Sequence, residues 1–165
     1  MSDTYSIRPA VEADLDRIVD LIAELDLYHQ TFEPDLVHQG TPKPANKAGF
    51  ATFLGDETVV VLVADTGSGA PDNIAGFVRM QIEDRKENRV FQARRVGTVH
   101  ELAVAADHRR RGIGRSLMDA VQEAAKAHNV DYVALSHFAG NEATGRFYDE
   151  IGYRPYMRHM VMKVE

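Results

Sequence analysis

Apolar positions along the chain follow two periods, and the changes between them delimit the elements. Between residues 12 and 27 they fall at Leu15, Ile18, Val19, Ile22 and Leu25, the spacing of one apolar helical face. A short strand at 5–8, closed by Pro9, precedes this helix. Pro34, Gly40, Pro42 and Pro44 break residues 28–47, after which a short helix is expected over about 45–54. The run TVVVLVAD at 58–65 is rich in β-branched residues, as in strands covered on both faces. TGSGAPDN at 66–73 is turn chemistry, and 74–82 reads as the returning strand of an antiparallel hairpin. The charged stretch 83–95 is expected to be a mobile connection. Residues 97–104 predict another strand, and 112–128 a helix that buries Ile113, Leu117, Val121, Ala124 and Ala125. A strand at 131–138 follows, then a short helix at 141–151 stopped by Gly152. Tyr153 and residues 157–164 are expected to supply the last strand or strands. The order predicts an α/β fold, a mixed sheet with helices on its faces. No repeat, low-complexity tract or linker divides the chain, so one domain over 1–165 is expected.

Composition narrows the function more than the fold. A chain of 165 residues is long enough to bury roughly 70% of its unfolded surface. The absence of cysteine excludes disulfides, thiolate metal sites and a cysteine nucleophile, and fits a reducing cytoplasm. No apolar run reaches the roughly 18 residues of a membrane span. The first ten residues lack a basic start and an apolar core, so no secretory signal is expected. A formal charge of −6 works against nucleic acid and for a cationic partner, weakly because of screening.

The chemistry concentrates at 98–116, TVHELAVAADHRRRGIGRS. A strand there runs into three arginines and the pair Gly112-Ile113-Gly114, which opens a helix. Glycines admit close approach to backbone N–H groups, and a helix start leaves its first N–H groups unpaired and its dipole positive. That combination suits a pyrophosphate. Arg115 in the first turn adds a cation where the dipole disfavours one, which asks for a bound anion. The alternative is a glycine-eased helix start with solvated arginines. A dinucleotide GxGxxG fails at Leu117, no Walker sequence occurs, and the HExxH begun by His100-Glu101 fails at Val104. The histidines show no other ligand spacing, so no metal is expected.

Three further side chains carry alternatives. Glu101 shares a strand face with Val99 and Ala103 if no bulge intervenes, as a proton-accepting carboxylate beside a cleft or as a solvent-facing edge residue. Asn141 stands where a helix N-cap is expected, or presents its amide to a ligand. Tyr148 lies two turns further along the same helical face, as a core tyrosine or as a phenol that protonates a leaving thiolate.

Together these residues resemble the GNAT superfamily of N-acetyltransferases. The resemblance rests on Glu101, Leu102 and Val104 in the strand, then Arg109-Arg110-Arg111-Gly112-Ile113-Gly114. It continues through Asn141, Ala143, Phe147 and Tyr148 to Ile151-Gly152-Tyr153, and it is dense over 97–153. It implies the acyl-CoA N-acyltransferase fold: a mixed, mostly antiparallel central sheet with two splayed parallel strands, at 98–104 and 131–138, and helices on both faces. It implies acetyl-CoA as donor, a primary amine as acceptor and direct transfer in a ternary complex. Pantetheine would lie against the backbone of Leu102, Ala103 and Val104. Pyrophosphate would sit on the N–H groups of 110–115, the cradle of Gly112, Ile113, Gly114 and Ser116, with the side chains of Arg109, Arg110, Arg111 and Arg115 at hand. Asn141 and Tyr148 would border the thioester. Glu101 would act as base, directly or through water, a backbone N–H near Ala103 or Val104 would hold the oxyanion, and Tyr148 would protonate the CoA thiolate.

By the same resemblance the acceptor would meet residues 28–44, 83–95 and the C-terminal strands. There Tyr28, His29, Phe32, Glu33 and Asp35, with Glu83-Asp84, either line a cation pocket or form solvated loops. Polyamines, aminoglycosides, amino acids and protein amino termini all remain open as acceptors. A non-catalytic CoA-binding regulatory module is the rival reading, and RNA binding by the arginines is disfavoured by the net charge. The apolar MRHMVMKV at 157–164 makes a homodimer through the C-terminal strands an expectation by resemblance.

Overall fold

The computed structural model describes residues 5–67 and 73–164; of the turn expected at 66–73, residues 68–72 lie outside them. Strands β1 (Ser6–Pro9), β2 (Val59–Asp65), β3 (Ile74–Arg85), β4 (Arg94–Val104) and β5 (Tyr132–Leu135) form one sheet in sequence order. All neighbours are antiparallel except β4 and β5, which run parallel. Helices α1 (Leu15–His29) and α2 (Lys47–Ala51) cover one face, and α3 (Ile113–Ala127) and α4 (Glu142–Glu150) the other.

Two cores follow from the helical and strand periods. Leu15, Ile18 and Leu21 of α1 and Phe50 of α2 meet Val61, Val63, Phe77 and Ala103 on one face of the sheet. Ile113, Leu117, Met118, Val121 and Ala125 of α3 meet Ala64, Val78, Met80 and Val99 on the other. Each fully buried aliphatic side chain contributes on the order of 2 kcal/mol. The β-branched run of β2 is covered on both faces, as its composition requires.

Several boundaries differ from the expectation. Residues 83–95 are not one loose connection: β3 runs to Arg85 and β4 starts at Arg94, pairing Glu83 with Val96, Asp84 with Arg95 and Arg85 with Arg94. A ladder needs backbone partners rather than apolar side chains, and Arg95 stands 3.8 Å from the Asp84 carboxylate. The helix expected over 45–54 divides into α2 and a 3-10 turn at Thr52–Gly55. β5 stops at Leu135, three residues early. No strand forms over 157–164: this segment joins no described ladder, and Met160, Met162 and Val164 stand exposed.

Candidate active site

The parallel pair β4–β5 is short where the site opens. Its register runs from Val96 opposite Tyr132 to Val99 opposite Leu135, while β4 continues to Val104 against β3 alone. The outer edge of β4 over 100–104 therefore has no described strand beside it; Leu102 and Val104 turn their backbone groups to that edge, while Ala103, opposite Phe77, turns its own to β3 as Ala105 does. Arg109 Nε donates to the Val104 carbonyl at 3.0 Å, and its guanidinium lies 5.5 Å from the Tyr28 ring centroid. Its side chain thus ties the loop after β4 to that strand and to the end of α1.

A bulge then sets the direction of Glu101. Arg79 pairs with Glu101 but Met80 with Val99, so His100 is an extra residue in β4. Val99 points into the α3 side, whereas Ala103 belongs to the α1 side. Glu101 therefore shares no face with Val99. It meets Arg79, whose Nε donates to Oε2 at 2.6 Å and whose Nη2 donates to Oε1 at 2.9 Å. The Arg79 guanidinium also lies 4.5 Å from the centroid of Phe53. Glu101 is consequently a paired carboxylate, not a free one.

The loop from β4 to α3 has the geometry of an anion cradle. It passes through the turn Ala106–His108, then Arg110 at φ 65° and Gly112 at φ 85°. Gly112 serves as N-cap in the left-handed region, which its lack of a Cβ permits; Arg110 holds the same region against a steric cost of about 1–2 kcal/mol. The first helical bond is Ser116 N–H to the Gly112 carbonyl at 3.0 Å, so the N–H groups of Ile113, Gly114 and Arg115 carry no helical partner. Arg110, Arg111 and Arg115 are exposed around them. Ser116 Oγ lies 2.9 Å from the Tyr5 hydroxyl, which fixes the first turn of α3 to the chain entering β1.

Helix α4 brings Asn141 and Tyr148 to one face. Asn141 is its N-cap: Oδ1 accepts the Thr144 N–H at 3.1 Å and the Tyr28 hydroxyl at 3.4 Å. Tyr148 is 8% exposed, its ring between those of His137 at 6.0 Å and Tyr153 at 5.7 Å. Gly152 (φ 93°) ends the helix: the Tyr153 N–H reaches the Tyr148 carbonyl at 2.9 Å and the Gly152 N–H the Asp149 carbonyl at 3.1 Å. These two hydrogen bonds fold Tyr153 back onto Tyr148. Burial, with a smaller contribution from Tyr153, pushes the Tyr148 hydroxyl up to about 12, so it stays protonated at neutral pH.

On the α1 side, Tyr28, His29, Phe32 and Phe138 form an aromatic wall. Centroids are 4.9 Å apart for Tyr28–Phe32, 5.1 Å for His29–Phe138 and 6.3 Å for Phe32–Phe138. Burial lowers the His29 imidazole below its usual value, with Asp26 opposing in part. Of the other acidic residues expected at the acceptor, Asp35 is exposed, and Glu83 and Asp84 stand beside Arg85 and Arg95 of their own hairpin. Sequence reasoning missed Tyr5 and Arg79, because each acquires its position through a pairing between distant elements. Among the described residues, no group of three or more His, Asp or Glu could hold a metal ion, and no helix is long and apolar enough to cross a membrane.

Comparison with known proteins places this geometry. No curated protein matches the chain. Among solved structures, a mutant of the BH1408 protein from Bacillus halodurans superposes with a TM-score of 0.87 at 23% identity, over 97% of this chain and 99% of that one. An acetyltransferase from Trypanosoma brucei gives 0.71 at 20% identity, over 98% and 100%. The aminoglycoside acetyltransferase meta-AAC0020, from an uncultured soil metagenomic sample, gives 0.70 at 17% identity, over 98% and 97%. These likenesses show the fold. The sequence profile of the Acetyltransferase (GNAT) family matches residues 24–153, the stretch that contains the open edge of β4, the cradle and α4, and the chain belongs to that family.

Proposed function

We propose that this chain, as one domain, moves the acetyl group of acetyl-CoA directly onto a primary amine within a ternary complex. The observation that carries the reading is that the end of β4, the start of α3 and helix α4 meet at Gly114, where an added Cβ would lie 3.6 Å from the Phe147 ring and 3.9 Å from Val104. The edge of β4 at Leu102–Val104 pairs with no described strand, though Arg109 holds the Val104 carbonyl; it leads to the N–H groups of Ile113, Gly114 and Arg115, which carry no helical partner, and Tyr148 follows Phe147 on α4. An extended amide-bearing chain would hydrogen-bond the edge as an added strand does, and a pyrophosphate would bind the helix start. Arg110, Arg111 and Arg115 would add charge around the phosphates, and Gly112 would let them approach the backbone.

In this reading Tyr148 protonates the sulfur that leaves, a task its protonated hydroxyl suits. A backbone N–H near Ala103 or Val104 holds the developing oxyanion. Asn141 keeps its amide nitrogen available to the pantetheine while its oxygen caps α4. Glu101 stands on the acceptor face, where its Arg79-held carboxylate places negative charge beside the incoming ammonium. Aminoglycosides are the acceptors named for some structural neighbours, which supports an amine as the class. A homodimer in the cytoplasm fits the exposed apolar segment 157–164 and the absence of cysteine.

The test is thiol release from acetyl-CoA across a panel of primary amines, including peptides with free amino termini. Release that depends on one amine class supports the reading. Tight acetyl-CoA binding without release by any amine favours the regulatory module instead.

A further inference from the structure

We propose that His137, in the loop after β5, is a positioning residue of the transfer reaction: its imidazole, seated on Gly145 inside α4, holds the Tyr148 ring in place. This rests on the acetyl-transfer reading above and adds a residue to its machinery.

Gly145 stands where a helix disfavours glycine. It lies in the interior of the nine-residue α4, and glycine is among the poorest helix formers. The backbone does not call for it: its φ is not positive, and its N–H makes the ordinary helical bond to the Asn141 carbonyl at 3.0 Å. A neighbour does. A Cβ at 145 would stand 3.2 Å from Cε1 and 3.6 Å from Nε2 of His137. Outside the helix itself, no other described atom comes within 4 Å of that position. Any larger residue there would press on the imidazole.

The imidazole is held on both sides. Its Nδ1 lies 3.0 Å from the Phe138 carbonyl, and a carbonyl only accepts, so Nδ1 carries the hydrogen. The same carbonyl takes the Asn141 N–H at 2.9 Å, which ties His137 to the N-cap of α4. On its other side the ring lies against that of Tyr148, with centroids 6.0 Å apart. Asn141, Gly145 and Tyr148 follow at the spacing of one helical face. His137 thus fills the place between the two residues that would border the thioester.

Tyr148 depends on such neighbours. Among the described residues nothing hydrogen-bonds its hydroxyl, so packing alone fixes where the phenol points. Three aromatic rings take part: Phe147, Tyr153 and His137. Only His137 of these is exposed, so it can be replaced without opening the core. Proton transfer to the leaving sulfur is sensitive to that direction, because a misplacement of about 1 Å costs on the order of 10²-fold in rate.

The experiment measures single-turnover rate, acetyl-CoA affinity and melting temperature for the wild type, Gly145→Ala, His137→Ala and the double variant, with the most active amine of the panel. Helix propensity favours alanine, so Gly145→Ala should keep or raise the melting temperature. Its rate should nevertheless fall roughly 10–10²-fold, with acetyl-CoA affinity unchanged. His137→Ala should lose a similar factor, and Gly145→Ala should cost nothing further once residue 137 is truncated. The proposal is overturned if Gly145→Ala keeps the wild-type rate, loses rate together with melting temperature, or loses as much in the His137→Ala background. Weaker acetyl-CoA binding in Gly145→Ala overturns it equally, since the glycine would then make room for the cofactor rather than for the imidazole. A wild type that binds acetyl-CoA but acetylates no amine overturns the transfer reading itself, and this inference with it.

Discussion

Arg79 donates two hydrogen bonds to Glu101 across the point where the β3–β4 ladder slips by one residue. The slip at His100 turns Glu101 onto the α1 face, and the guanidinium opposite fixes it there. An ion pair of this kind adds little net stability when both partners are present, yet it is costly to break from one side.

Arg79→Met should therefore destabilise the protein by about 2 kcal/mol, at the lower end for a pair whose side chains are 12% and 25% exposed. The double variant Arg79→Met with Glu101→Leu should regain part of that loss. Urea denaturation of the four-member cycle measures the coupling; additive losses would show that the pair contributes nothing specific.

Tyr148→Phe removes the proposed acid while keeping the ring between His137 and Tyr153. Turnover should fall by about 10–10³, with acetyl-CoA affinity retained. Single-turnover kinetics with the most active amine give the result, and an unchanged rate would remove Tyr148 from the chemistry.

Burial pushes both the Tyr148 and the Tyr153 hydroxyls up to about 12 from an ordinary 10. Above pH 10 the unfolded chain loses these protons while the folded protein keeps them, so the folded state binds more protons and stability falls as pH rises. The melting temperature should decline between about pH 10 and 12, and less steeply in Tyr148→Phe and Tyr153→Phe. A decline that neither substitution alters would refute the assignment.

Gly152→Ala places a side chain at φ 93°, in otherwise open space. It should cost about 1 kcal/mol by backbone strain. It should also loosen the fold-back of Tyr153 onto Tyr148, lowering turnover without changing acetyl-CoA affinity. Gly112→Ala, at φ 85° in the cradle, should do the reverse and weaken acetyl-CoA binding by about tenfold. Calorimetric titration with acetyl-CoA separates the two.

Much of this site can be read along the chain because its cofactor side is local. The strand, arginines and glycines of 98–116 are contiguous, and Asn141 and Tyr148 lie seven residues apart on one helix, so spacing alone brings each group together. The acceptor side is not local. Arg79 meets Glu101 through strand pairing, and the Tyr28 hydroxyl reaches Asn141 from a helix more than a hundred residues earlier in the chain. The bulge at His100 has no glycine or proline to announce it, so the face of Glu101 could only be stated conditionally. The charged ends of β3 and β4 read as a loop because hydrophobic period is silent where a hairpin projects beyond the core. The segment 157–164 has strand composition, but composition alone supplies no partner.

The most direct measurement is mass spectrometry of an amine panel incubated with acetyl-CoA carrying an isotopic label in the acetyl group. Direct transfer moves the label to the nitrogen of one class of primary amine, with one CoA thiol released per amide formed and both strongly reduced in Tyr148→Phe. Bound acetyl-CoA that yields no labelled amide, or thiol release that ignores the amine, would contradict it.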